Sequence, residues 1–386
     1  MENTFKIFCI VGARPNFTKI APVMDAFKRL TPEVNILLVH TGQHYDENMK
    51  TLFFEQLGIP EPDIDLGVGS GSHAVQTAEV MKGFEPIVDQ EHPDAIIVVG
   101  DVNSTISCAL VAAKKMIPVI HIEAGLRSYD RQMPEEINRV LTDQISDRLY
   151  LTEKSAEHNL ALEGIPGERI YFAGNVMIDT LKKNVKQAIH FSETLKKYNI
   201  DADIEEKNYS LLTMHRPSNV DNKPVLESLL KTIQQTSETI PVVFPVHPRT
   251  KEKIAEFKLD HYLDTENIYT LPPLGYMQLV GLMNHAKVVM TDSGGIQEET
   301  TALGVPCITL REKTERPITI EQGTNTIVGV DPELIISTFE EVMTNGGKTG
   351  KQPELWDGHA AERIVTDLVE WLSSKKIPSP SGRGLG

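Results

Sequence analysis

The chain reads as an α/β protein of two Rossmann-like, doubly wound domains facing a central cleft, and three observations predict this. Apolar runs of strand length alternate with helical patterns from one end to the other. Most of these runs are continuously apolar and rich in Ile and Val, as strands buried on both faces of a parallel sheet must be. At 386 residues the chain also exceeds the size to which one core keeps growing, so two domains are expected. The first series of strands is expected at 4–11, 34–40, 95–100, 117–123, 148–152 and 169–173, the second at 209–214, 241–246, 267–271, 287–291, 306–310 and 325–330. Between them 182–207 is charged, helical in pattern and free of strand signals, which favours two units over one barrel. The boundary is placed near 174–180. The last helix, 359–372, carries Ile364, Leu368 and Trp371 on one side and suits packing back onto the first domain. The expected domains are therefore 1–173 with 359–386, and 178–358. The tail 377–386, rich in Pro, Gly and Ser, is expected to be disordered.

Composition narrows the function classes. Lys and Arg number 38 against 54 Asp and Glu, a net charge of -16 that disfavours a nucleic acid or an anionic membrane as partner. An anionic small molecule stays compatible if a few cations gather locally. Cys9, Cys108 and Cys307 are isolated and odd in number, which argues against a disulfide framework or a Cys-based zinc site. None of the twelve His residues has HxH or HExxH spacing, so no metal is expected. With no bilayer-length apolar run and no signal-peptide layout at the N-terminus, the expected location is cytoplasmic.

The most informative segment is 121–139, HIEAGLRSYDRQMPEEINR, where an apolar strand ends in charge and a helix begins. With Asp101 at the end of another strand, Glu123 and Glu135 would bring three carboxylates to one sheet edge, where open α/β folds bind ligands. A structural reading stands beside this one. Pro134, Glu135 and Glu136 make an ordinary helix start, and Glu136 needs no other purpose. Glu123 must be paired, hydrogen bonded or at a site, and Arg127, Arg131 and Arg139 are available partners. Asp101 fits equally an N-cap of the next helix.

Other strand ends carry cations and glycines. Gly12-Ala13-Arg14-Pro15 in the first half is echoed by Met214-His215-Arg216-Pro217 in the second, and two such turns would face one interdomain cleft. Lys19, close to a helix start, is mismatched to the macrodipole unless an anion is near. The run KVVMTDSGGIQEE places Ser293, Gly294 and Gly295 in a strand-to-helix turn suited to phosphate, with Glu298 and Glu299 further along for ribose hydroxyls. A tight turn without ligand explains the same residues. His215 and His247 each end an apolar strand and precede Arg216 and Arg249, an arrangement suited to a diphosphate.

GARPNFTKIAP, VVGDVNST, HIEAGLRS with MPEEINR, the His215-Arg216 turn and TDSGGIQEE occur together in this order and spacing. On these motifs the chain, from about residue 6 to 372, resembles the non-hydrolysing UDP-N-acetylglucosamine 2-epimerase family. The resemblance implies the glycosyltransferase B type of fold, with UDP held mainly by the C-terminal domain. It implies interconversion of UDP-N-acetylglucosamine and UDP-N-acetylmannosamine without metal or redox cofactor, for cell-surface polysaccharide precursors. UDP would be eliminated across carbons 1 and 2 to give 2-acetamidoglucal, then re-added. By motif position Asp101, Glu123 and Glu135 are the implied acid/base carboxylates and His215 assists the UDP phosphates. Arg14, Lys19, His247, Ser293, Gly294, Gly295 and Glu299 are implied substrate ligands, and a homodimer through the N-terminal domain is implied as well. A 2-epimerase of UDP-diacetamido uronic acids, with Arg131 as the extra cation, and a glycosyltransferase of the same fold are the alternatives.

The chain departs from many bacterial members at Ala13 and Asn16, and its link between Glu123 and Glu135 is two residues shorter. Some bacterial members bind a second UDP-N-acetylglucosamine as activator, and Gln43 keeps that pattern while Asp46, Ser72 and His73 depart from it. Weak or absent activation is expected. Initial rates with the mannosamine substrate should therefore be hyperbolic; a sigmoidal curve that turns hyperbolic on adding a trace of UDP-N-acetylglucosamine would contradict this.

Overall fold

The computed structural model describes residues 5–42, 58–200 and 204–376, so the tail 377–386 and the loop residues Gln43 and Asp46 lie outside the described residues. Two parallel sheets organise the chain. Strands β1 (Lys6–Val11), β2 (Asn35–His40), β3 (Ile64–Asp65), β4 (Ala95–Val99), β5 (Val119–Ala124), β6 (Arg148–Leu151) and β7 (Ile170–Phe172) form the first, in the order β3-β2-β1-β4-β5-β6-β7. Strands β8 (Ser210–Thr213), β9 (Val242–Pro245), β10 (Ile268–Leu271), β11 (Val288–Thr291), β12 (Cys307–Thr309) and β13 (Asn325–Ile327) form the second, in the order β10-β9-β8-β11-β12-β13. Both sheets reverse direction of growth between their first and fourth strands, and ligands of open α/β sheets bind outside the carboxyl ends at that switch. β3 is the strand that sequence patterning misses. It is a two-residue edge element beside Asp63 and Asp65, too short and too polar to show a period.

Burial follows the apolar runs. Every residue of β4 and β5 is buried; β4 accordingly reads as an unbroken hydrophobic segment, while β5 buries His121 and Glu123 among its apolar residues. Among the described residues, 182–207 holds no strand. Its helix Val176–Asn184 begins under an Asn175 cap, and a second helix follows at Phe191–Lys197. One hydrophobic cluster runs from β1 through this connection to Tyr209 and Leu211 of β8 and on to Trp356. The two units thus share apolar packing beneath the cleft.

The last helix, Ala360–Lys376, lies on the helix Arg14–Leu30 of the first unit, with Ile364 and Leu368 fully buried and Trp371 half-buried. Its first free N–H groups are taken by Asp179, whose carboxylate accepts from Ala360 at 3.1 Å and Ala361 at 2.7 Å. Farther along, Asp367 accepts from Arg148 Nε at 2.9 Å and from the Tyr150 hydroxyl at 2.8 Å. The helix returns because two acids bracket it, one at each half.

Glu153 follows β6 where the two units meet. It is buried, accepts from Ser155, and its Oε2 has no hydrogen-bond partner among the described residues. Burial pushes its pKa up to about 7 against the Ser155 hydrogen bond, and Glu298 of the second unit adds to the rise. A carboxyl raised from an ordinary value near 4.5 stabilises the fold fully below that value. The contribution declines as pH rises and is lost once pH passes about 7. Glu153→Gln is therefore expected to be more stable than the parent at pH 8, by an upper bound of roughly 3 kcal/mol, with the difference fading below about pH 5. Urea denaturation of both proteins at the two pH values reads this, and an unchanged difference between them would reject it.

Candidate active site

Each switch point is built from short turns with specific caps. In the first unit the helix Arg14–Leu30 starts directly after β1, with Pro15 in its first turn. Asn16 accepts from the Gly12 and Ala13 N–H groups at 3.1 and 2.8 Å and donates to the Val99 carbonyl at 3.0 Å. One amide thereby ties the end of β1 to the end of β4. Arg14 opens this helix; its side chain lies outside the described residues. Lys19, one turn on, is buried and meets Glu123 Oε2 at 2.5 Å. The anion that its position near a helix start demands is thus supplied by the chain.

Glu123 sits at the end of β5 with φ +72°, in the left-handed region, where the β5–β6 register shifts between Ile122 and Ala124. This turn swings a buried carboxylate between two cations. Besides Lys19, Arg316 from the second unit approaches Glu123 Oε1 at 3.1 Å. Arg316 also faces Glu298 Oε2 at 2.9 Å and pairs with Glu315, which Arg311 holds at 2.8 Å. Burial opposes the charge on Arg316, yet Glu298, Glu315 and Glu123 raise its pKa well above the ordinary value. Burial likewise works against Glu315, but Arg316, Arg311 and Arg139 keep it well below the carboxylate range.

Asp101 follows β4 and is half-buried. Burial raises its pKa, and Arg139, Lys19 and Arg316 together outweigh that and lower it. Arg139 pairs with Asp101 directly and reaches Glu136 at 2.8 Å, while Asn138 donates to the Asp101 carbonyl at 2.9 Å. Asp101 is not an N-cap: Val102 occupies that position and no side chain caps the helix Asn103–Lys114.

The second switch point presents a different chemistry. Asp292, fully buried after β11, accepts from the backbone N–H groups of His215 and Arg216 at 2.9 and 2.8 Å and from Asn219 at 3.2 Å. It also lies 3.1 Å from His215 Nδ1. Burial raises its pKa, but the hydrogen bond and charge of His215 win and lower it. With Nδ1 directed at this carboxylate, His215 offers Nε2 outward. Its ring lies 5.2 Å from that of His247, which caps the helix Pro248–Phe257 by accepting from Arg249 N–H at 3.2 Å. Ser293 precedes the helix Gly294–Leu303, and Glu299 on that helix accepts from the Tyr276 hydroxyl at 3.0 Å. A Cβ on Gly294 would stand 2.4 Å from Arg316 Nη1, so glycine is what lets the guanidinium cross this turn toward Glu123.

Several sequence expectations change. The partners of Glu123 are Lys19 and Arg316, not Arg127, Arg131 or Arg139. Arg127 is committed to Asp143 and Glu163, Arg139 to Asp101 and Glu136, and Arg131 is exposed. Glu136 is more than a first-turn acid. It is buried and accepts from Ser128 N–H, Ser128 Oγ and Tyr129 N–H at 3.0, 2.9 and 2.8 Å, fixing the shortened loop. Glu298 faces Arg316 and Asn175 instead of ribose, and Arg249 is held by Asp221 at 2.9 Å. Glu135 is half-buried at the start of its helix and makes no ion pair among the described residues. Sequence reasoning missed Arg311, Glu315 and Arg316, although a dense charge run after the apolar strand end at 310 is the signal that singled out 121–139.

No described helix is long and apolar enough to cross a membrane, and no group of three or more His, Cys, Asp or Glu residues suited to a metal ion occurs among the described residues. The family model described as UDP-N-acetylglucosamine 2-epimerase matches residues 28–369. The UDP-N-acetylglucosamine 2-epimerase of Methanocaldococcus jannaschii is 41% identical over 367 residues, covering 94% of this chain and 99% of that one. A crystal structure of the Methanocaldococcus jannaschii enzyme with UDP-N-acetylglucosamine and UDP superimposes with a TM-score of 0.87 over 95% of this chain and 100% of that one. The UDP-2,3-diacetamido-2,3-dideoxy-D-glucuronate 2-epimerase of Pseudomonas aeruginosa is 37% identical over 370 residues, 95% of this chain and 99% of the relative. A family model spanning most of the chain, relatives alike over nearly their whole length and two sheets that present their switch-point turns to each other agree, and the chain belongs to the UDP-N-acetylglucosamine 2-epimerase family.

Proposed function

We propose that the protein interconverts UDP-N-acetylglucosamine and UDP-N-acetylmannosamine by eliminating and re-adding UDP. The observation that carries this is the meeting of Glu123 and Asp101 with Lys19, Arg139 and Arg316 at the carboxyl ends of β4 and β5. Carbon 2 of the sugar carries a weakly acidic hydrogen, so a base must take it while the carbon 1 to oxygen bond breaks and the electron pair leaves with UDP. The product is 2-acetamidoglucal. Re-addition reverses these events, with a proton delivered to the opposite face of carbon 2. Asp101, Glu123 and Glu135 are the proposed acid/base set. An ionised Asp101, kept so by neighbouring cations, suits proton removal.

The second unit supplies the leaving group's surroundings. His215, oriented by Asp292, and the helix start at Ser293, Gly294 and Gly295 suit the diphosphate. By motif position Arg14 and Lys19 of the first unit and His247 of the second are proposed substrate ligands, and Glu299 the ribose ligand. No metal or redox cofactor is required by this chemistry. The named activity of the Methanocaldococcus relative supports the sugar, and the Pseudomonas relative supports a second reading, a diacetamido uronate substrate. A uronate needs one more cation, whereas Lys19, Arg139, Arg311 and Arg316 each already face a carboxylate of the chain and Arg131 is exposed, away from the buried ion pairs. The acetylglucosamine reading is therefore preferred, with polysaccharide precursors as the use of the product. A homodimer is proposed through exposed Val75, Ile137 and Leu141 on neighbouring helices of the first unit.

Incubation with UDP-N-acetylglucosamine in deuterated water should give the manno epimer with deuterium at carbon 2, followed by NMR; the absence of both exchange and a new nucleotide sugar rejects this substrate. The same assay with the diacetamido uronate sugar nucleotide tests the second reading. Glu123→Gln should lower kcat by about a hundredfold or more while UDP still binds, measured by calorimetry. Turnover close to the parent would remove Glu123 from the acid/base set.

A further inference from the structure

His121 stands two residues before Glu123 on β5, and the proposed chemistry leaves it unused. Its ring is fully buried, and each nitrogen faces an oxygen: Nδ1 lies 2.6 Å from Asp143 Oδ1 and Nε2 lies 2.8 Å from the Gly100 carbonyl. A carbonyl oxygen can only accept. Asp143 is occupied as an acceptor too, for its Oδ2 takes the Gly125 N–H at 3.0 Å and faces Arg127 at 2.7 Å. The Arg127 guanidinium against Oδ2 favours the ionised carboxylate, so Asp143 Oδ1 has no hydrogen to give the ring. A neutral imidazole has one donor and one acceptor nitrogen, and would leave one of these two short contacts without a hydrogen.

The charges around the ring point the same way. Arg127, from the loop after β5, also holds Glu163 at the end of the helix Ser155–Leu162, with contacts of 2.7 and 2.6 Å. Two carboxylates, one guanidinium and a charged imidazole balance. A neutral ring would leave these groups, all buried except the half-exposed Glu163, with a net negative charge, which a low-dielectric interior penalises.

We infer that His121 carries a hydrogen on both ring nitrogens and, as a buried cation, is a positioning residue that locks the turns bearing Asp101 and Glu123 together. Gly100, with φ +65°, directly precedes Asp101, so holding its carbonyl fixes the peptide plane that leads into that carboxylate. Through Asp143 the same ring is tied to the Gly125 N–H, beyond the left-handed kink at Glu123. One imidazole and one carboxylate thus span both strand ends. The functional half of this inference rests on Asp101 and Glu123 as the reacting groups; the protonation half does not.

The test uses the full chain with ring-labelled histidine and no substrate, at pH 8, where free imidazole is neutral. Couplings from the ring C–H hydrogens should show both nitrogens of His121 protonated, the signal being the one lost in His121→Gln. A neutral pattern for that signal overturns the inference. Should His121→Gln not fold, His40→Gln leaves His121 as the fully buried ring among the described histidines, so the spectrum still decides. In folded His121→Gln, kcat should fall by about a hundredfold with KM little changed, as displaced reacting groups require. An unchanged kcat overturns the positioning role. Because the spectrum is taken without sugar, a protein that fails the deuterium-exchange assay can still pass it, and the two failures stay separate.

Discussion

The structure turns on one side chain, Arg316, which leaves the second unit, crosses Gly294 and ends buried against Glu123 of the first. Moving a guanidinium out of water is costly unless good geometry and several acceptors compensate. Here Glu123, Glu298 and Glu315 surround it, and Arg311 in turn satisfies Glu315. Glu123 and Glu298, from opposite units, therefore meet on one guanidinium, and these contacts add to the shared apolar cluster and to hydrogen bonds such as that from the Trp356 indole to the Thr152 carbonyl in joining the units.

This balance also explains the strand ends. An acid in a fully buried strand is unstable without partners, and Glu123 reaches Lys19 and Arg316 from a backbone at φ +72°. Such a conformation costs on the order of 1 kcal/mol or more for a residue with a side chain and persists where neighbours over-determine it. The over-determining contacts are the Gly125 N–H on Asp143 and the slipped β5–β6 register. Local strain, interdomain pairing and the aim of the Glu123 carboxylate are one arrangement.

Much of this was legible in the sequence because parallel strands buried on both faces print unbroken apolar runs, and because a charge at the end of such a run has few reasons to exist. Asp101, Glu123, His215 and Ser293 all stand at such ends. What stayed hidden is pairing at long sequence separation. Lys19, Arg127, Arg131 and Arg139 are all closer in sequence to Glu123 than Arg316 is, and proximity along the chain misassigned its partner. Glu136 looked dispensable because the donors to its carboxylate are backbone N–H groups of a loop, and these have no sequence signature. β3 was lost because two residues cannot show a period.

The repeated topology divides the chemistry between the units. Both sheets place their switch between the first and fourth strands, yet the first unit brings ionised acids paired to cations while the second brings an oriented histidine and a helix start. An elimination needs these two environments at once: an acid/base face that handles a proton on carbon, and a donor-rich face that receives the charge of the departing diphosphate. The first unit holds its acids paired to Lys19, Arg139 and Arg316, and the second offers a helix start beside an oriented histidine. Arg316 is the member that belongs to both faces. It starts beside the helix start of the second unit and ends on Glu123 of the first, so this pair forms only when the second unit is seated against the first.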